Sequence, residues 1–468
     1  MGVTLRPYQS DGIAKIRQAF AAGAKAPLYV LPTGGGKTVL FSAIAESSQR
    51  RAKRVLILCH RVELIDQIVS SLKEFDVRPD VIAAGYSRGT GNKASVNRPV
   101  TVASVQTLVR RLDDYPAPTL IIVDECHHVS TGGQWSAILR KYGTARVLGV
   151  TATPLRLDGR GLGSHFDLLI VGPSIQELID GGYLVPSRVF APPTVDTSGL
   201  HMRMGDFKTN EAEALVDTPS IMGDALSHYR KHADNRPALA FCTSVAHAHH
   251  VADRFREEGI DALALDGGTD RNIRRMAVND FRQGKIRVLA SCDLFSEGFD
   301  VPGVHVGIML RPTASEGLHR QQIGRVLRPC AAKSHAIIMD HVGNCQRHGL
   351  PADPREWTLD QDSPRAKRKP VPSIRVCPKC FAASHARATE CVECGTKFPV
   401  KPRTEIDTRE GDLVELTAEE IARKRERREQ GRSRTLAELQ AFARIKGYSP
   451  EWAQRVFKAR MSKRKESA

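Results

Sequence analysis

Apolar and polar positions along the chain fall into a repeating alternation. Short apolar runs at residues 28–31, 54–59 and 100–103 are followed by helix-period stretches at 38–47, 62–72 and 105–112. Further runs occupy residues 120–123 and 146–150. The alternation restarts after Tyr183, with runs at 238–242, 262–265, 287–290, 304–310 and 336–339 and helical segments between them. Strand–helix repetition of this kind predicts parallel α/β sheets. Two blocks, each of ~150–180 residues, predict two tandem domains, residues 1–182 and 183–345, with the seam near Gly181-Gly182. Beyond residue 344 the alternation breaks down. Residues 346–372 read as a linker, rich in Pro and Lys/Arg over 361–372. Residues 373–400 hold two close cysteine pairs, and 401–468 form a basic helical tail with a charged helical run at 418–430.

Composition narrows the class. A chain of 468 residues, 41% hydrophobic and 26% charged, is ordinary for a globular protein of two or three domains. No apolar run approaches the ~20 residues of a membrane span, and the N-terminus carries no signal-peptide pattern. A cytoplasmic monomer with no membrane partner is therefore expected. Of the net charge of +17, residues 361–468 supply +11, from 26 Lys/Arg against 15 Asp/Glu. Such a balance suits a polyanionic partner, or is simply a solvated segment. Cys59, Cys126, Cys242, Cys292, Cys330 and Cys345 stand singly, most of them in or beside apolar runs, and are expected to be small buried hydrophobes.

The candidate chemistry begins where the first run ends. Pro32, Thr33, Gly34, Gly35, Gly36, Lys37 and Thr38 follow an apolar strand and open a helix. A glycine turn there aims main-chain N–H groups at an anion. Lys37 would reach the β- and γ-phosphates of a nucleoside triphosphate, and the Thr38 hydroxyl would sit on Mg²⁺. Leu31 occupies the position where the strict pattern has its first glycine. The run 120–123 ends in Asp124-Glu125-Cys126-His127, placing two carboxylates at the C-terminal edge of a parallel sheet, where ligands bind. Asp124 would hold Mg²⁺, and Glu125 would orient and deprotonate the attacking water.

These two motifs resemble motifs I and II of the superfamily 2 helicases and translocases in their DExH form, and the resemblance covers nearly all of residues 5–328. It implies two RecA-like domains of the P-loop NTPase type, with ATP and Mg²⁺ in the cleft. Leu5-Arg6-Pro7-Tyr8-Gln9 resembles the motif that reads adenine, through Gln9 with Arg6 nearby. Arg61, in a motif Ia-like segment, and Thr107, in a motif Ib-like one, are implied to face nucleic acid, as are Thr243 and Ser244 of a motif IV-like stretch. Thr151 and Thr153, in Thr-Ala-Thr-Pro, would link nucleotide state to domain movement. Residues 291–300 resemble motif V and imply ATP contacts at Gly298 and Asp300. Residues 321–328 resemble motif VI. They imply that Arg325 and Arg328, three apart on one helix, are delivered to the phosphates from the second domain, while His127 joins the catalytic set. Within the superfamily the chain most resembles RadD-type DNA repair helicases and phage relatives, and more distantly XPB-like helicases and type I restriction motor subunits. The expected function is ATP-dependent movement along, or remodelling of, single-stranded, duplex or branched DNA in repair, recombination or replication. Single-strand-binding or recombination proteins are the expected partners. An RNA helicase and a non-catalytic nucleic-acid-binding scaffold are the alternatives.

Cys377 and Cys380 are followed, after ten intervening residues, by Cys391 and Cys394. Two Cys-x-x-Cys turns suit tetrahedral Zn²⁺ and predict a zinc ribbon, with a redox dithiol as the rival. His247, His249 and His250 have no evident carboxylate or cysteine partner and read as a helix surface rather than a metal site. The charged run at 423–428 fits a phosphate-binding or a salt-bridged helix. Residues 436–461 fit a two-helix core or an aromatic–basic surface for single strands.

Overall fold

The computed structural model describes residues 3–86, 98–129, 133–156, 161–192, 195–294, 301, 303–359, 374–399 and 435–466. The first lobe contains α1 (Pro7–Ala21), β1 (Pro27–Val30), α2 (Lys37–Gln49), β2 (Val55–Cys59), α3 (Val62–Glu74), β3 (Asp80–Ile82) and β4 (Val100–Ser104). It continues through α4 (Val105–Leu108), β5 (Leu120–Asp124), α5 (Gln134–Lys141), β6 (Arg146–Thr151) and β7 (Leu168–Val171). Its strands lie in the order β3-β4-β2-β5-β6-β1-β7, every neighbouring pair parallel. A sheet covered on both faces buries every residue of a central strand, which is why these strands read as unbroken apolar runs. In β2, Val55, Ile57 and Cys59 enter the core on one face, and Leu56 and Leu58 the core on the other.

The second lobe contains α6 (Ile175–Asp180), β8 (Ser187–Phe190), a two-stranded hairpin of β9 (Met202–Arg203) and β10 (Asp206–Phe207), α7 (Thr209–Val216) and α8 (Pro219–His228). After these come β11 (Ala238–Phe241), α9 (Val245–Glu257), β12 (Ala262–Leu265), α10 (Arg271–Arg282), β13 (Val288–Ser291), β14 (Val306–Met309), α11 (Glu316–Val326), β15 (Ala336–Asp340) and α12 (Asn344–His348). The strand order is β12-β13-β11-β14-β15-β8, again parallel.

Two boundaries differ from the sequence reading. Ile175 and Leu178 of α6 pack with Val189, Leu239 and Val326 in the second lobe. The seam therefore falls between β7 and α6, not at Gly181-Gly182. Residues 349–359, expected as linker, form a strap. Leu350 and Ala352 pack on the second lobe, Trp357 and Leu359 on the first, and the Gly163 N–H donates to the Leu359 carbonyl at 2.9 Å. Two local features also differ. The helix expected over 105–112 stops at Leu108 and continues as a 3₁₀ turn (Val109–Asp114) that kinks at Arg111. Cys292 and Cys330 are only partly buried, unlike the other four single cysteines.

The cysteine module is an antiparallel hairpin of β16 (Ile374–Val376) and β17 (Ala383–His385). It docks on the second lobe at β8, where the Ala191 N–H donates to the Phe381 carbonyl at 2.9 Å and Arg188 pairs with Glu393. The tail is a separate compact unit. Its helices α13 (Leu436–Lys446) and α14 (Pro450–Glu466) close on Leu439, Ala443 and Ala453, so the two-helix core is formed. Tyr448 and Trp452 stack at 4.7 Å beside it. The charged run at 418–430 lies outside the described residues.

Candidate nucleotide site

The turn after β1 is shaped by its glycines. Gly34 (φ 88°) and Gly36 (φ 82°) adopt left-handed conformations that disfavour any side chain. A Cβ on Gly36 would lie 2.5 Å from Gln9 Nε2, and one on Gly34 2.9 Å from Leu184 Cδ2. Gly36 caps α2, so Lys37 and Thr38 stand in the helix's first turn, where the helix N–H groups have no internal acceptor. Pro32 closes the turn by accepting the Gly35 N–H at 3.0 Å. Leu31, out of pattern for a phosphate loop, is fully buried in the first-lobe core. That position serves packing here, which is why it is not glycine.

At the end of β5, Lys37 Nζ lies 3.5 Å from Glu125 Oε1. Glu125 holds a left-handed backbone (φ 47°, ψ 52°), a strained state that re-aims its carboxylate. Burial, and then the adjacent Glu125 carboxylate, push Asp124 up to about 7. Lys37 opposes that shift only in part, so the carboxylate pair suits a further cation. His127 Nδ1 lies 3.0 Å from Thr151 Oγ1 and 3.3 Å from Glu125 Oε2. Thr151 Oγ1 also accepts the Thr153 N–H at 3.2 Å. Across the cleft, Gln321 Nε2 lies 3.4 Å from His127 Nε2. A donating amide there leaves the ring proton on Nδ1, directed to Thr151 or Glu125. Thr151, Thr153, His127 and the Asp124–Glu125 carboxylates thus form one chain of contacts reaching the second lobe.

Arg325 stands in the last turn of α11 and is 8% exposed. Arg328 lies two residues beyond the helix, which ends at Val326, so the two do not share a helix as expected. Loss of hydration lowers Arg328 to about 10, and it stays charged at neutral pH. Gly324 packs against Thr33 of the phosphate loop: a Cβ on Gly324 would overlap the Thr33 side chain. At the other end of the loop, Gln9 Oε1 accepts the Arg6 N–H at 2.9 Å, while Gln9 Nε2 faces the Gly35 and Gly36 carbonyls at 3.4 Å. Tyr8 had no assigned role in the sequence reading. Its hydroxyl donates to the Gly35 carbonyl at 2.7 Å and accepts from Arg6 Nη1 at 3.0 Å. Its ring meets Tyr183 edge-on at 4.9 Å, with Arg6 4.9 Å over the same Tyr183 ring.

Comparison with known proteins matches residues 2–156 to the family model "Type III restriction enzyme, res subunit" and residues 219–330 to "Helicase conserved C-terminal domain". A 51.5 kDa protein of a Lactococcus phage is 34% identical over 83% of this chain and 82% of its own length. The chain belongs to the superfamily 2 helicases. The Saccharomyces cerevisiae protein IRC3, named as an ATP-dependent helicase, is 32% identical over 72% of this chain, which spans about half (51%) of its length. A fragment of an HsdR subunit of a type I restriction enzyme from Vibrio vulnificus shares the fold. Its TM-score is 0.58 at 22% identity, covering 74% of this chain and 67% of that one.

This helicase has its other site residues placed as follows. Arg61 Nη1 reaches across the cleft to the Asp293 carbonyl at 3.5 Å. Thr107 bonds its own helix cap, Ser104, hydroxyl to hydroxyl at 2.9 Å. Thr243 is buried and its hydroxyl donates to the Leu310 carbonyl at 3.2 Å, so in this arrangement it faces the interior rather than a nucleic acid. Ser244 caps α9 and bonds Glu213. Gly298 and Asp300 lie outside the described residues. His249 and His250 stand on a helix surface, facing Asp266 and Asp217 at 3.8 and 2.7 Å. His247 does not: it is fully buried. The carboxylate partners come from the β12–α10 and α7–α8 connections, on neighbouring elements rather than on α9 itself.

The four paired cysteines converge. Cys377 and Cys394 Sγ lie 3.6 Å apart, as do Cys380 and Cys391, and all four lie within 4.8 Å of one another. A tetrahedral thiolate site with ~2.3 Å bonds needs S–S separations of about 3.8 Å. Hydrogen bonds from Thr396 lower Cys394 to about 6, while burial raises Cys380 and Cys391. A divalent cation that favours thiolate at every position fits this set.

Proposed function

We propose that the chain couples ATP hydrolysis to translocation on DNA, remodelling duplex or branched DNA in repair, recombination or replication. The observation that carries this reading is the meeting of the two lobes at the phosphate loop, where Gln321 reaches His127, Gly324 packs on Thr33 and Arg328 lies beside Gly34. In the hydrolytic step, Lys37 leaves Glu125 for the phosphates. Glu125, oriented through Thr151 and His127, then accepts a proton from the attacking water. Asp124 and the Thr38 hydroxyl would hold Mg²⁺, whose charge offsets that of the phosphates when bound. Arg325 and Arg328 supply positive charge as the lobes close, at the point where negative charge builds on the transferring group. Because that charge comes from a second lobe, turnover requires closure, and a strand held by both lobes is gripped alternately. The restriction-enzyme model over residues 2–156 supports DNA as the track, and the net charge of +17 suits a nucleic-acid backbone. Cys377, Cys380, Cys391 and Cys394 would hold a structural Zn²⁺.

Phosphate release should be measured with single-stranded, duplex and forked DNA and with RNA. DNA is expected to stimulate it more than RNA. Lys37→Ala is expected to reduce the stimulated rate at least ~100-fold, the scale of losing a charged transition-state contact. Stimulation by RNA alone would reassign the track, and an unchanged rate in Lys37→Ala would remove the motor reading.

A further inference from the structure

Lys333 lies outside every motif singled out in the sequence, yet it carries an ammonium group into the interior, where it is 8% exposed. Its Nζ donates to three main-chain carbonyls: Val304 at 2.6 Å, Arg328 at 2.8 Å, and Val326. An ammonium has three protons, and each has an acceptor here. Val326 ends α11, and Arg328 lies two residues on. The last carbonyls of a helix lack internal partners and form the negative end of its dipole. Lys333 therefore closes the end of α11 and ties the backbone around Arg325 and Arg328 to Val304, just ahead of β14.

We propose that Lys333 is a positioning residue for ATP hydrolysis, fixing the end of α11 so that Arg325 and Arg328 meet the phosphates on closure. The proposal rests on the reading of those two arginines given above. A neutral amine has only two protons, so deprotonation leaves one carbonyl without its donor and removes the cation from the helix end. Burial lowers Lys333 to about 8; Cys330 opposes that shift and Arg328 adds to it. The other titratable groups nearby are His305, which contacts Cys330 at 3.4 Å, and His335. Burial lowers both imidazoles, so they are neutral across the alkaline range.

The effect on stability has the opposite sign to the effect on rate. The folded state releases this proton near pH 8, while the unfolded chain keeps it until about 10.5. Between those values the unfolded state binds more protons, so the contribution of this group to stability rises with pH. A rate that falls through this window without a matching fall in stability reports lost positioning rather than lost fold.

The test is the DNA-stimulated ATPase of the full chain, with melting temperatures, from about pH 6 to pH 10. Lys333→Met should lower kcat ~10–100-fold with KM for ATP little changed, the scale on which a displaced catalytic group loses rate. Lys333→Arg should recover most of kcat and lose the fall above pH 8 that is expected of the natural chain. Cys330→Ala, which removes the neighbouring thiol, should keep that fall. Natural kcat in Lys333→Met, or an alkaline fall that persists in Lys333→Arg, would overturn the proposal. If Lys333→Met does not fold, the Lys333→Arg profile decides. Arg328→Ala separates the two readings. If it hydrolyses ATP normally, the assignment of the arginines fails; if it is inactive while Lys333→Met is normal, only the role of Lys333 fails.

Discussion

Gly324 has no room for a side chain, because Thr33 of the opposite lobe occupies the space a Cβ would take, with its Cγ2 2.9 Å from that position. Gly324→Ala must therefore hold the lobes apart or displace the phosphate loop. The substitution adds one methyl at a lobe interface rather than in either sheet's core, so folding should survive. We expect kcat for ATP to fall ~10–100-fold, as for a misplaced catalytic group, with the melting temperature changed by less than the rate suggests. A natural kcat in Gly324→Ala would show that closure does not bring these two residues together. At this scale Lys37, Asp124 and Glu125 were legible in the sequence, because they follow apolar runs that the hydrophobic pattern locates, and Arg325 only through its resemblance to motif VI. The roles of Tyr8 and Lys333 were not. Each acts by bonding main-chain carbonyls, of Gly35 for one and of Val304, Val326 and Arg328 for the other, and no spacing in the sequence records such contacts.

Among the elements, the strap after α12 is tied to α11 by a charged cluster, besides its apolar contacts with both lobes. Glu316, at the start of α11, accepts from Arg320 Nε at 3.0 Å and from Arg355 Nε at 2.7 Å, all three largely buried. Burial alone would raise the Glu316 carboxyl, but the two guanidiniums outweigh it and hold the group below its ordinary value. Such a carboxylate stabilises the fold above its unfolded-state value, and the contribution is lost as pH falls through the depressed folded value. Glu316→Gln leaves two buried guanidiniums without their anion and should cost about 3 kcal/mol. Urea denaturation near neutral pH should show that loss, and the variant should lose less than the natural chain on acidification. Equal stability at neutral pH would mean that Asp353 or solvent replaces the lost carboxylate. Hydrophobic periodicity did not reveal the strap, because Trp357 and Leu359 are isolated anchors in a Pro-rich stretch and two anchors have no period. It could not say which sheet Ile175 and Leu178 would cover, since that choice depends on residues up to 150 positions away, such as Val326.

On the scale of the whole molecule, the cysteine hairpin is part of the second lobe rather than an appendage after a linker. Cys377, Ala382, Cys391 and Phe398 share a core with Phe190, Ala225 and Tyr229, and the module covers the β8 edge of the sheet. The ligand spacing was legible because each Cys-x-x-Cys turn is local, whereas its docking depends on partners nearly two hundred residues earlier. A metal that folds the hairpin should therefore stabilise the lobe as well as the ribbon. Removing it with a strong chelator should expose Phe190 and Phe398 together and lower the lobe's melting temperature by ~5 °C or more, the shift that a loss of about 2 kcal/mol produces in a domain of this size. Metal content measured on the same samples should fall from one Zn²⁺ per chain to none, and Cys394→Ser should reproduce the change. Complete metal release with unchanged melting would make the hairpin self-contained. A chain that never holds metal would leave the four thiols to the dithiol chemistry that their pairing also permits.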